Sequence, residues 1–185
     1  MLAGALAVSL LAWPGRSNAA TNEAVDPGGG SVALAPSGKV SVESLKLGLV
    51  KQARGPTGGV LPAAAPVSPG QELYFVLFVD NPTSQPARPV QITDALDETQ
   101  FLYQPDSLEA TTVSSGSDDA GIWAGKWTPL TDAVGPPDDV ASALDTGTDG
   151  GKDRVAVGAV PGQANRELAI PAKSLWALRF RVRVR

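Results

Sequence analysis

Seven apolar residues in a row, Leu73-Tyr-Phe-Val-Leu-Phe-Val79, constrain this chain more than any other stretch of it. Pro69-Gly70 precedes the run and Asp80-Asn81-Pro82 follows it. Proline presets φ at the second position of a turn, and glycine accepts positive φ at the third. The run is rich in aromatic and β-branched residues and too short for a buried helix. Pro82 cannot donate to a ladder, so the strand must stop there. A strand has period two, which puts Leu73, Phe75, Leu77 and Val79 on one face and Tyr74, Val76 and Phe78 on the other. The odd face reads as core. The even face needs a cover, since large exposed apolar patches are unusual on a soluble surface. Two covers are open: the chain's own irregular segments, or a second subunit. In the second case the short apolar run 31–36, with Val32 and Leu34, adds as a strand to a neighbour's sheet edge. Tyr74, Val76, Phe78, Val32 and Leu34 are therefore the candidate interface residues.

The rest of the chain repeats the pattern of short strands between turns. Its 185 residues suit one domain plus a short processed or flexible piece. Gly 20 and Pro 16, in a chain that is 43% hydrophobic, favour punctuated strands over long helices or disorder. Val40 to Gln52 reads as the first firm strand, with a change of phase that a bulge near Glu43-Ser44 would reconcile. Val90 to Thr93, Phe101 to Tyr103, Ser107 to Val113, Arg154 to Val160 and Leu168 to Ile170 follow as strands, with Pro86 and Pro89 marking an edge or a bend. Residues 114–153 are the least regular part, and a loop of that length predicts strand or helical pieces within it. The last strand alternates cleanly, with Trp176, Leu178, Phe180, Val182 and Val184 on one face and Arg179, Arg181, Arg183 and Arg185 on the other. Such a basic face guards a sheet edge from unwanted pairing, or meets an acidic partner. The fold class expected is all-β, an Ig-like antiparallel β-sandwich with a long irregular insertion at about 114–153.

Three segments are expected along the chain. Residues 1–19 read as an export signal: Leu2 to Trp13 is apolar apart from Gly4 and Ser9, and Ser17-Asn18-Ala19 offers small residues for cleavage. That run is too short to cross a bilayer, which takes about twenty residues, so no membrane span is expected in the mature chain. Residues 20–39, centred on Asp26-Pro27-Gly28-Gly29-Gly30, have a linker composition. Residues 40–185 hold the sandwich.

Several function classes drop out on composition. With no histidine and no cysteine, the commonest general base, the commonest zinc ligands and every thiol nucleophile are missing. A formal charge of −4 draws no nucleic acid. One acidic loop offers a metal reading: Asp145, Asp149 and Asp153 surround Gly150 in the spacing of a calcium loop. Gly147 and Ala156 stand where further oxygen ligands would be needed, and a solvated acidic turn fits the same residues. Trp123 and Trp127 could stack on sugar rings or simply pack a loop. Some surface sandwiches use a lysine placed like Lys51 for an internal isopeptide bond with Asn, but the last strand holds no Asn and Asn165 falls in a turn.

Val67-Ser-Pro-Gly-Gln-Glu-Leu-Tyr-Phe-Val-Leu-Phe-Val-Asp-Asn-Pro82, Pro89-Val-Gln-Ile-Thr-Asp-Ala-Leu-Asp97 and Phe101-Leu-Tyr-Gln-Pro-Asp-Ser-Leu108 together resemble the conserved-repeat domain of bacterial and archaeal surface proteins, domain of unknown function eleven. Leu130-Thr-Asp-Ala133 and the closing Leu178 to Val184 resemble later parts of the same pattern, so the likeness covers about Val40 to Arg185. It implies an exported Ig-like or prealbumin-like sandwich at the cell surface, outside the cell or in the periplasm, and brings no catalytic residues. The expected function is an exported, non-enzymatic structural protein that self-associates into a fibre or surface layer or joins other surface proteins. The alternative is a monomeric module binding polysaccharide or a calcium-bridged partner.

Overall fold

The computed structural model describes residues 47–62, 65–133, 139–144 and 152–185, the last block by backbone alone at 152, together with the backbone of four short strands before them. Those are β1 (Ala5–Ser9), β2 (Thr21–Val25), β3 (Val32–Leu34) and β4 (Val40–Val42). They are followed by β5 (Leu47–Arg54), β6 (Glu72–Asn81), β7 (Ala87–Asp97), β8 (Phe101–Tyr103) and β9 (Glu109–Ser114). A helix, α1 (Asp119–Ala124), the one helix among the described residues, precedes β10 (Thr128–Pro129), β11 (Ala141–Leu144), β12 (Lys152–Val157), β13 (Leu168–Ile170) and β14 (Ser174–Val184). The chain is an all-β sandwich of two antiparallel sheets. One is six-stranded, in the order β1-β2-β7-β12-β11 with β13 alongside β7; the other is eight-stranded, in the order β10-β9-β14-β6-β5-β4-β3 with β8 also on β14.

The apolar run lies in β6, between β5 and β14. Gly70 takes φ 83, as the Pro69-Gly70 turn requires. The Gly70 amide then donates to the Val184 carbonyl at 2.7 Å, joining the turn to the end of β14. At the far end Asn81 is fully buried, its Nδ2 donating to the Gln85 and Pro171 carbonyls at 2.8 and 3.0 Å while its Oδ1 accepts from the Thr83 hydroxyl at 2.6 Å. A side chain that answers several loop groups at once ends the strand more firmly than a bare turn signal would.

The odd face of β6 is core, as the alternation predicts. Leu73, Phe75, Leu77 and Val79 pack with Trp176, Leu178, Phe180 and Val182 of β14 against Val90, Ile92 and Leu96 of β7, Val155 and Val157 of β12, and Leu168 and Ile170 of β13. Phe75 meets Phe101 and Phe180 edge to face at 5.2 and 5.9 Å. Burying each such side chain stabilises the fold by roughly 1.5–3 kcal/mol.

Two expectations are corrected by the topology. β14 is not an edge strand: it pairs along its length with β6 on one side and with β9 and β8 on the other, so its arginines guard no edge. Nor does Val40 to Gln52 form one bulged strand. β4 folds back on β5 with Val40 opposite Leu49 and Val42 opposite Leu47, so the change of phase reflects a reversal of the chain. Glu43 and Ser44 lie outside the described residues. The proline-marked bend is present: pairing of β13 with β7 shifts register between Leu168 and Ile170, beside Pro89, which has no amide hydrogen to donate.

Candidate functional site

The even face of β6 is covered by the chain itself. Residues 114–153 do contain local elements, and α1 is the one that lands here. Asp118 caps the helix, its Oδ1 accepting from the Gly121 amide at 2.7 Å. Ile122, 1% exposed, then packs with Val76, Phe78, Leu175 and Ala177, and Val50, Tyr74, Val113, Trp123 and Trp127 close the rim. Trp123 stands edge to face on Tyr74 at 5.1 Å, and Trp127 Nε1 donates to the Trp123 backbone carbonyl at 3.2 Å. Gly58, at φ 90, passes so close beneath Trp123 that a Cβ there would lie 2.2 Å from the indole nitrogen. Val76 at 0% and Phe78 at 6% exposure thus offer no surface to a second subunit, which corrects their assignment as interface residues. Tyr74 is half-buried in the same cluster.

Two arginines hold this cover. Arg179 lies over Trp127 at 4.3 Å and Trp123 at 4.8 Å while its Nε donates to Glu109 at 2.7 Å. Cation–π attraction and an ion pair therefore act through one guanidinium. Arg54, buried, reaches Asp119 of α1 at 2.7 Å and the Gly58 carbonyl at 3.0 Å. The basic face of β14 is in this way partly consumed by packing: Arg179 belongs to the cover, and Arg183 is exposed.

A second polar group lies inside the sandwich. Lys51 of β5 shares the inward phase of Leu49 and Ala53, and Asp94 of β7 lies between Ile92 and Leu96 on the inward face of the opposite sheet. Lys51 Nζ is 2.7 Å from Asp94 Oδ1 and 2.7 Å from Oδ2, with the side chains 6% and 0% exposed. The Phe75 ring lies 4.5 Å from Nζ. Burial pushes the Lys51 amine below its usual value and the Asp94 carboxyl above its own, each partly offset by the partner's charge. Sequence reasoning singled out Lys51 and missed Asp94. The signal was available: a charged residue in the apolar phase of each of two strands.

Polar anchoring recurs near β8. Tyr103 donates its hydroxyl to Asp132 Oδ1 at 2.7 Å, and the Asp106 amide donates to Asp132 Oδ2 at 2.8 Å. Burial first, and then the bond and charge of Asp132, push the Tyr103 phenol well above its usual range. Of the calcium residues, Asp153 sits in β12, 1% exposed, with its Oδ2 accepting from the Tyr103 amide at 3.2 Å. It faces the sandwich interior, which is not where a loop ligand would be; Asp145 and Asp149 lie outside the described residues. Among the described residues no three His, Cys, Asp or Glu side chains gather as a metal site. Val32 and Leu34 lie in β3, whose backbone pairs with β4 of the same chain. Among the described residues no helix is long and apolar enough to cross a membrane. No family model, curated protein or solved structure matches the chain.

Proposed function

We propose that the chain is a non-enzymatic structural unit of an exported surface or extracellular assembly, associating with its own kind or with other surface proteins through its sheet edges. One observation carries this reading: Lys51, Tyr103, Arg54 and Asn81, polar groups that could bind or react, are engaged in holding the sandwich together. Lys51 is held by Asp94, Tyr103 by Asp132, Arg54 by Asp119, and Asn81 by two loops. The resemblance to surface-protein repeats points the same way. In the surface-repeat pattern, the phrase resembled by Leu102-Tyr-Gln-Pro-Asp-Ser-Leu108 carries glycine at the position of Asp106, and Asp106 takes φ 56, the left-handed state that a glycine there would serve. With the outer face of β6 covered, the proposed association uses a sheet edge, and β3 ends the eight-stranded sheet. Main-chain pairing at an edge supplies affinity without any exposed apolar patch.

Sedimentation of the purified chain over a wide concentration range tests this. Concentration-dependent oligomers that vanish when residues 20–39 are deleted would support edge association. A monomer at every concentration would overturn it and favour the monomeric binding module. Cell fractionation with protease added to intact cells tests the address, and a chain protected from that protease contradicts a surface location.

A further inference from the structure

We propose that Lys51 and Asp94 are the two ends of an intramolecular isopeptide bond, a covalent tie between the sheets formed by the folded chain itself. The reacting groups are already in place. Equal 2.7 Å distances from Nζ to both carboxylate oxygens put the nitrogen on the carboxyl's symmetry plane. That places it roughly 3 Å from the carboxyl carbon, within the near-attack range for bond formation. The strands that carry the two residues are paired on both sides, β5 with β4 and β6, β7 with β2 and β12, so neither end drifts.

The surroundings favour the amide. Phe75 covers the nitrogen, Leu77 is the register partner of Lys51, and Val155 is the register partner of Asp94. Phe75, Leu77, Ile92, Leu96 and Val155 are all buried. In this apolar setting two opposite charges carry a large desolvation cost, whereas a neutral amide carries a much smaller one. Transfer of one proton from the ammonium to the carboxylate gives the neutral amine and the carboxylic acid, the forms that burial favours on both sides. The amine lone pair then attacks the carboxyl carbon. The new C–N bond forms as the C–OH bond breaks, one amine proton leaves with the hydroxyl as water, and the product is a secondary amide. No oxidant, metal or co-reactant enters the balance. The bond would close the chain between positions 43 residues apart and join one sheet to the other through the middle of the core.

Intact mass spectrometry of the purified, denatured full chain decides it. The expected mass is one water below that of the residues present, and a tryptic digest contains a branched peptide joining the Lys51 and Asp94 segments, uncut after Lys51. Lys51→Arg, which keeps the charge and cannot be acylated in this way, restores the full mass. Any fraction of the wild-type chain carrying the branched peptide supports the bond. An unshifted mass with free cleavage after Lys51 overturns it, as does a water loss that maps to another segment. The decisive reading is taken on the unmodified chain, so it stands even if the Lys51→Arg variant fails to fold.

Discussion

On its inner side β6 meets another sheet; on its outer side it meets a six-residue helix and two tryptophans. Both sides are dry, yet they are built differently. The inner contact is a broad layer of aliphatic and aromatic groups from many strands, of which β5, β6, β7, β9, β12 and β14 are held by ladders on both flanks. The outer contact depends on one short helix, below the length at which a helix is stable alone, and on two arginines that bind it to β5 and β14. Burial alone therefore does not report how firmly a region is held. The number of independent elements that must move together does.

The largest test of this difference is Phe180→Ala in the inner layer. Phe180 is fully buried among strands that cannot collapse around a void, so a loss of about 3–5 kcal/mol is expected. Urea unfolding should show it as a lower midpoint at unchanged slope.

Ile122→Ala probes the outer layer. It should cost less, about 2 kcal/mol, because α1 can settle toward β6 and fill part of the space. Hydrogen exchange in α1 and around Trp123 should rise well before exchange in β6 and β14 does. Equal losses for the two variants, with exchange rising everywhere, would show that the two faces are one cooperative unit.

A third test uses pH at the inner layer's margin. Tyr103 is held protonated by burial and by Asp132, so its folded value lies above the unfolded one, near about 10. The folded state then binds the proton more tightly. Its contribution is fully present below about pH 10 and is lost as pH rises further, because the unfolded chain ionises first. Thermal melts between about pH 8 and pH 11 should fall more steeply for the wild-type chain than for Tyr103→Phe. At neutral pH that variant loses about 1 kcal/mol with its hydrogen bond.

The smallest effect is expected at the latch. Asp119 is half exposed, its side chain 51% accessible, so Asp119→Ala should cost below about 1 kcal/mol despite the short bridge to Arg54. A much larger loss in the same urea assay would make this bridge, and not apolar burial, the main hold on α1.

Much of the fold was legible because period-two patterning is a local property. Leu73 to Val79 and Trp176 to Val184 each declared a strand and an inward face, and both declarations match the structure. Pro69-Gly70 and Asn81 marked the ends of β6 for reasons that are equally local. The reversal between β4 and β5 has the same sequence pattern as a bulge, since a phase shift looks the same whether the chain bends or turns back. The interior place of β14 was also out of reach. A strand's own residues say which face is apolar, but not how many neighbours it has, and basic side chains can line an outer face as readily as an edge.

The candidate site divides along the same line. The inward phase of Lys51 could be read from Leu49 and Ala53, and that of Asp94 from Ile92 and Leu96. That the two meet could not, because they lie on different sheets and no periodicity spans the gap between sheets.

By itself the sequence determined that the chain would be strands between turns, that β6 would bury its odd face, and that its even face would need a cover. Only the tertiary structure decided what that cover is, α1 with Trp123 and Trp127, and which carboxylate answers Lys51. The physical reason is one of range. Strand propensity, turn chemistry and alternation act over a few neighbouring residues, whereas a cover and a charge partner are chosen by the packing of segments distant in the chain, which no local pattern encodes.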